Sequence, residues 1–487
     1  MDELLNIDAT EAARRVRARE ASAEALTSLL LEHAQKTEPA VGAYLRLDID
    51  GAIEQARAID NAIGDGKDPG PLSGVPIAIK DNIHVKGQLT TCASKMLDGF
   101  NAPYDATVVE RLRAAGAVIV GKTNLDEFAM GSSCENSALQ QTHNPWDVTH
   151  VPGGSSGGSA ACVAARSAFI SLGSDTGGSI RLPGSFCGVI GYKPSYGRVS
   201  RYGLVAFASS LDQIGPFTRS VRDAALSLRV MAGRDVMDST TPAREVPDYP
   251  ALLGDSLKGK RVGVVRRYLD EMPNREVADA VGSAVTNLEK LGAEIVDVEL
   301  PHAEYGIAVY YVVASAEASS NLSRFDGVRY GLRKEADNLL EMYKQTRGEG
   351  FGPEVKRRIM LGTYALSAGH YDEFYGRAGK VRTLIARDFE AAFEKCDLIA
   401  GPCAPFTAFK SGEKSDPLSM YLCDVYTIPA SLAGLCAMSL PVGFDKAGLP
   451  IGMHLQAPPY ADAELLSAAH ALELTLKASV DRVPAIA

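Results

Sequence analysis

The chain has 487 residues, with 50 Lys and Arg against 60 Asp and Glu, a formal charge of −10; at about 150 residues per domain it is too long for a small binding module. That acidic balance argues against a direct grip on nucleic acid, which needs clustered cations facing the phosphates. With 46% hydrophobic and 23% charged residues, the chain can bury a large core and is not of the disordered class.

In chain order, Asp8 is placed to cap a helix over 9–19 and Ser22 another over 23–35, whose leucines recur at helical spacing. Together they form a helical appendage over about 1–40. The opening Met1-Asp2-Glu3-Leu4-Leu5 carries acids at once and lacks the pattern of a signal or transit peptide. A helix near 52–62, an apolar strand over 75–79, a helix over 107–115 and a strand over 117–120 follow, an alternation that predicts an α/β layer structure. A helix over 158–165 leads into an apolar run over 168–172, Ser220 caps a helix ending near Met231, and extended segments at 261–265 and 295–298 flank a helical stretch over 275–291. The Asp- and Pro-rich stretch 233–256 predicts a surface excursion.

The longest uncharged run, 425–444, has 20 residues, nominally enough to span a bilayer. Pro429, Gly434, Pro441 and Gly443 interrupt it, so buried core segments are expected instead. Eight cysteines without a C-x-x-C pair predict no metal site and no disulfide framework, but buried thiols in a reducing cytoplasm.

Three short motifs weaken on inspection. Residues 116–123 match the phosphate-loop pattern, but their middle residues are β-formers where that motif requires a loop. Asp175-Thr176-Gly177 resembles an aspartic-protease triplet, yet no second copy supplies the facing carboxylate. Residues 153–157 satisfy G-x-S-x-G, but a nucleophile elbow must follow a strand and Val151-Pro152 is a poor strand end. This leaves an α/β-hydrolase using Ser155 with His454 or His470 as a rival reading.

Two serine-glycine clusters remain, 153–159 and 173–181. Alone, each reads as a flexible loop, but each adjoins predicted regular elements. Glycines beside a serine let backbone N–H groups approach a substrate carbonyl, as an oxyanion hole requires, so the second cluster is a candidate nucleophile loop. A serine nucleophile needs a base, and none of the eight histidines sits in a triad motif. Lys80 ends the apolar strand and is followed by Asp81-Asn82; burial there would desolvate its ammonium and lower its pKa toward that of a useful base.

Together these residues resemble the amidase signature family, whose mark is a Ser-cisSer-Lys triad. The match places Lys80 in GVPIAIKDN as the base, Ser155 in PGGSSGGS as the bridging serine and Ser179 in GSDTGGSIR as the nucleophile, at separations of 75 and 24 residues within a region of about 73–216. The resemblance implies an α/β amidase signature fold with a large mixed β-sheet core flanked by α-helices, one domain over 1–487, a cis peptide before Ser155, and an oxyanion hole of Thr176, Gly177, Gly178 and Ser179.

Within the family, segments 125–133, 144–147, 197–215, 316–330 and 355–362 are similar to the glutamine-hydrolysing chains of tRNA-dependent amidotransferases. That similarity implies glutamine as substrate, recognised through Tyr310, an arginine of the Arg357/Arg358 pair and Asp424. It implies that the B and C subunits of such an amidotransferase are partners in a cytoplasmic heterotrimer, that this chain holds no cofactor, and that ATP, Mg²⁺ and most tRNA contacts belong to the B subunit. Two departures stand out: Leu182-Pro183-Gly184 where the family usually has Gln-Pro-Ala, and Cys134 where Thr is commoner. A stand-alone amidase on hydrophobic or aryl amides is the alternative, and Asp424 argues against it, because a charge beside an apolar acyl group is costly. A catalytically silent scaffold is disfavoured by retention of all three triad residue types.

Overall fold

The computed structural model describes residues 3–480 and 482–486. Its strands are β1 (Tyr44–Leu47), β2 (Pro76–Lys80), β3 (Val118–Thr123), β4 (Ile170–Asp175), β5 (Ile190–Lys193), β6 (Gln213–Thr218), β7 (Arg261–Val264), β8 (Glu294–Asp297), β9 (Leu398–Pro402), β10 (Cys436–Phe444) and β11 (Pro450–Ala457). They form one mixed sheet in the order β1-β3-β2-β4-β6-β5-β10-β11-β9-β7-β8.

Two wings are parallel, β3-β2-β4 and β9-β7-β8, and the strands between them are antiparallel. Parallel neighbours need crossover connections, normally helical. Thr107–Ala114 joins β2 to β3, Gly157–Ala164 lies between β3 and β4, and Arg275–Lys290 joins β7 to β8. These are the helix and strand alternations expected from the sequence, displaced by one to three residues at their ends. Because β2, β3, β4, β6 and β11 are buried along their whole length, they are covered on both faces and carry no alternating pattern.

The three anticipated caps form: Asp8 accepts from the Glu11 amide, Ser22 from Ala25 and Ser220 from Asp223. The second helix runs Ala23–Val41, beyond the expected end at 35, with Pro39 inside it. It stops where Gly42 takes a left-handed φ of 61°, a conformation glycine adopts without a Cβ clash. The N-terminal helices are built into the main core through Ala9, Ala12, Val16, Leu26 and Leu30, and Asp223 accepts from the amides of Ala9 and Thr10, both at 2.9 Å.

The uncharged run divides into a short helix, Ile428–Leu432, and strand β10, and among the described residues no helix is long and apolar enough to cross a membrane. The phosphate-loop match lies in β3, where buried Lys122 pairs with Asp81 at 2.9 Å. The stretch 233–256 exposes Val236 and Met237 and is anchored by buried Tyr249, whose hydroxyl accepts from Arg198 Nε at 2.7 Å. All eight cysteines are buried free thiols.

Candidate active site

β2 and β4 run parallel with Ile79 opposite Leu172, so their C-terminal ends emerge side by side, the edge where open α/β sheets place ligands. Lys80 is the last residue of β2 and is fully buried. Its Nζ donates to Ser155 Oγ at 2.8 Å, Ser156 Oγ at 2.7 Å and Ser174 Oγ at 3.0 Å. Burial lowers the pKa of this amine to about 7, against the opposing pull of Asp126, Cys134, Asp175 and Asp212. A substantial neutral fraction therefore exists near pH 7, as a general base requires.

The Gly154–Ser155 peptide is cis. The Ser155 carbonyl accepts from the Asp126 amide at 3.1 Å. A Cβ on Gly154 would overlap the Asp126 carboxylate and lie 2.7 Å from the Ser133 nitrogen, so only glycine fits. The Ser156 amide donates to the Ser179 carbonyl at 3.2 Å, stitching the two serine loops together. Ser155 follows a loop and not a strand, which removes the nucleophile-elbow reading. His454 lies in β11 with Nε2 3.0 Å from Arg181 Nη1, and burial drives its pKa well down. His470 sits 3.5 Å from Glu473 on the C-terminal helix. Neither histidine bonds to Ser155.

The second cluster leaves β4 at Asp175 and enters the short helix Arg181–Cys187. Asp175 Oδ2 accepts from the Ile180 amide at 3.0 Å, closing the loop. Desolvation of this carboxyl is outweighed by Arg181, which holds its pKa below the usual range; the pair is fully buried, with Arg181 Nη2 2.9 Å from Oδ1. Asp175 is therefore half of an ion pair and not of a carboxylate dyad. Arg181 also donates to Gly177 O at 3.2 Å, Thr427 O at 2.7 Å and Ser431 Oγ at 2.8 Å, so one guanidinium ties the loop carrying Ser179 to the segment carrying Asp424. Thr176 Oγ1 donates to buried Asp212 at 2.7 Å.

The amides of Gly177, Gly178 and Ser179 donate to no acceptor among the described residues, which leaves them available to an oxyanion. A Cβ on Gly177 would lie 2.8 Å from Tyr310 Cζ, and one on Gly178 would overlap the carboxylate of Asp424 and the hydroxyl of Thr427. Tyr310 and Asp424 thus press against the loop that carries Ser179. Burial raises the Asp424 pKa to about 6, and Ser132 Oγ donates to its Oδ2 at 2.6 Å.

The arginine pair divides. The Arg358 side chain is 3% exposed, bonds to Glu354 at 2.8 Å and packs over Tyr311 at 5.0 Å and Phe207 at 5.4 Å. Arg357 is 45% exposed and meets Glu354 from outside, because neighbours on a helix point about 100° apart. Of the pair that the sequence left open, Arg358 turns inward and Arg357 faces solvent. Of the departures, Gly184 has a direct reason, since a Cβ there would lie 2.9 Å from the Gly191 backbone. Cys134 is buried in a left-handed turn at φ 68°, its amide donating to Asp126 at 2.9 Å.

Asn82, Asp126, Ser132, Ser156, Ser174, Arg181 and Asp212 also build the site. All stand in segments singled out by sequence, but nothing in a residue type reveals which polar neighbour faces the reactive group.

The Amidase family model matches residues 25–466. A curated relative, the A subunit of glutamyl-tRNA(Gln) amidotransferase from Synechococcus sp. (strain JA-3-3Ab), is 56% identical over 94% of this chain and 90% of its own length. The crystal structure of the A subunit of glutamyl-tRNA(Gln) amidotransferase from Thermotoga maritima is 41% identical with a TM-score of 0.82, covering 100% of this chain and 99% of that one. Peptide amidase from Stenotrophomonas maltophilia is 31% identical with a TM-score of 0.84, covering 98% of each chain. Over nearly its whole length, the chain belongs to the amidase family.

Proposed function

We propose that this chain, a single amidase domain, is the glutaminase component of a tRNA-dependent amidotransferase. It hydrolyses glutamine to glutamate and ammonia, and the ammonia converts Glu-tRNA(Gln) to Gln-tRNA(Gln) or Asp-tRNA(Asn) to Asn-tRNA(Asn). The observation that carries the reading is the buried Asp424 carboxylate against the loop of Ser179. A carboxylate there suits the α-ammonium of a free amino acid and Arg358 its α-carboxylate, each by a charge-assisted hydrogen bond, with Tyr310 bordering the side chain. The name of the relative that is 56% identical supports the same reading.

Neutral Lys80 takes a proton from Ser155, which takes one from Ser179, and Ser179 Oγ attacks the side-chain amide carbon. Backbone amides over Thr176–Ser179 hold the oxyanion, each donor worth about 3–4 kcal/mol of barrier. Ser155 returns the proton to the leaving nitrogen, ammonia departs, and water hydrolyses the glutamyl-Ser179 ester to glutamate. The acidic chain leaves activation of the acceptor carboxylate, with ATP, Mg²⁺ and most of the tRNA grip, to the B subunit; the C subunit completes a cytoplasmic heterotrimer.

Ammonia release from glutamine is to be measured for the chain alone and with the B and C subunits, ATP and Glu-tRNA(Gln). A large rise on assembly is the expected result. Robust hydrolysis of aryl amides by the lone chain, unchanged by partners, would move the assignment to a free-standing amidase.

A further inference from the structure

Lys80 Nζ faces three hydroxyls, on Ser155, Ser156 and Ser174, and more distantly the Ser174 carbonyl oxygen at 3.3 Å, whereas a neutral amine offers two N–H groups and one lone pair. If Lys80 is to receive the Ser155 proton, the lone pair must face Ser155 and the two N–H groups must meet acceptors on Ser156 and Ser174, whose Oγ at 3.0 Å is a nearer acceptor than its carbonyl. Ser156 is committed to that role, because its own hydroxyl donates to the Ser174 carbonyl at 3.1 Å and so turns a lone pair to Lys80. Ser174 is held differently: Asn82 Nδ2 donates to its Oγ at 2.9 Å. With one lone pair taken by Asn82 and the other by Lys80, the Ser174 proton points at neither nitrogen. Asn82 is 1% exposed and lies two residues beyond Lys80, and its backbone carbonyl accepts from the Val205 amide at 2.9 Å.

We propose that Asn82 is a positioning residue: through Ser174 it keeps that hydroxyl an acceptor toward Lys80 and so reserves the Lys80 lone pair for Ser155. The proposal rests on the triad reading above, though not on glutamine being the substrate. Without the Asn82 amide, the Ser174 proton can swing onto the lone pair, where it competes with Ser155 and stabilises the neutral amine. Turnover then falls while the Lys80 pKa falls with it. The charged and titratable groups around Lys80 are Asp126 and Cys134 on the segment after β3, Asp175 at the end of β4, Asp212 before β6, and Cys92. None of them changes in the variants below. General loosening that admitted water would act in the opposite direction, returning the amine toward its solvated value of 10.5.

The test uses the chain co-purified with its partner subunits and two readouts across pH. One is the rate at which phenylmethanesulfonyl fluoride labels Ser179, in which Oγ displaces fluoride from sulfur and the proton leaves through Ser155. The other is ammonia release from glutamine. For Asn82→Ala the plateau rate is expected to fall about tenfold in both, with KM for glutamine unchanged and the acidic limb moved to lower pH. In a Ser174→Ala background the same substitution is expected to add nothing. Asn82→Asp serves as the rescue and stands in should the alanine variant not fold. Its carboxylate accepts the Ser174 proton and still draws it off Lys80, so the plateau stays within about threefold of wild type and the limb moves to higher pH.

An unchanged Asn82→Ala rate, a limb moving to alkaline pH in that variant, an equal loss in the Ser174→Ala background, or a plateau in Asn82→Asp as low as in Asn82→Ala would each overturn the proposal. Ser179 labelling that follows the expected pattern in a protein that does not hydrolyse glutamine would refute the substrate assignment and leave this one standing.

Discussion

Replacing Lys80 with Met removes a buried amine that the fold holds against its own preference for a proton. Burial, opposed by Asp126, Cys134, Asp175 and Asp212, lowers its pKa from 10.5 to about 7. At 1.36 kcal/mol per pH unit, this costs the folded state about 5 kcal/mol at and below neutral pH. Between about 7 and 10.5 the unfolded chain carries a proton that the folded chain lacks. Wild-type stability should therefore rise with pH in that window, and the penalty vanish above it. Against the gain, Met leaves Ser156 and Ser174 without the N–H groups that met them and Ser155 without its amine partner, about 1–3 kcal/mol. Lys80→Met should accordingly be more stable than wild type by about 2–4 kcal/mol at pH 7, with an advantage that shrinks as pH rises, while glutaminase turnover falls by about a hundred to ten thousandfold. Urea unfolding of both proteins at several pH values, with ammonia release measured in parallel, checks this. A less stable variant at pH 7, a difference that does not change with pH, or near-normal turnover would refute the reasoning.

Arg358→Lys and Asp424→Asn should each raise KM for glutamine about tenfold to a hundredfold, whereas Arg357→Ala, on the solvent side of the same helix, should leave steady-state kinetics within about twofold. Gly178→Ala drives a methyl into Asp424 and Thr427 and should abolish ammonia release; activity within tenfold of wild type would mean that the loop has room the structure does not show. Arg181→Met strands the buried Asp175 carboxylate and should destabilise the protein by about 3–5 kcal/mol in thermal or urea unfolding. The double variant Arg181→Met with Asp175→Leu should recover part of that loss.

The residues of the candidate site were more legible in the sequence than the sheet that holds them. Lys80 could be placed because it ends a short apolar run bounded by Gly74 and by Asp81-Asn82, and β2 does end there. Strands β10 and β11 carried no readable period, because both faces of each are largely covered and alternation needs one wet face. Uncharged 425–444 therefore showed only that it was core, and not that it divides into a helix turn and a strand. The choice between Arg357 and Arg358 depends on how the helix Pro353–Leu366 is rotated against its neighbours, which adjacent identical residues do not encode. Asp126 and Asp212 escaped because each reaches the site from a loop whose path is set by contacts far away in the chain; Asp212, for example, accepts from the Thr176 hydroxyl 36 residues earlier.

Acylation of Ser179 by glutamine, with Lys80 as the base, can be caught by quenching the assembled enzyme during turnover and mapping the covalent adduct by mass spectrometry. A glutamyl ester is expected on the peptide containing Ser179, formed as ammonia is released and absent from Ser179→Ala and Lys80→Met. An adduct on another residue, or glutamine hydrolysis that persists in Ser179→Ala, would contradict it.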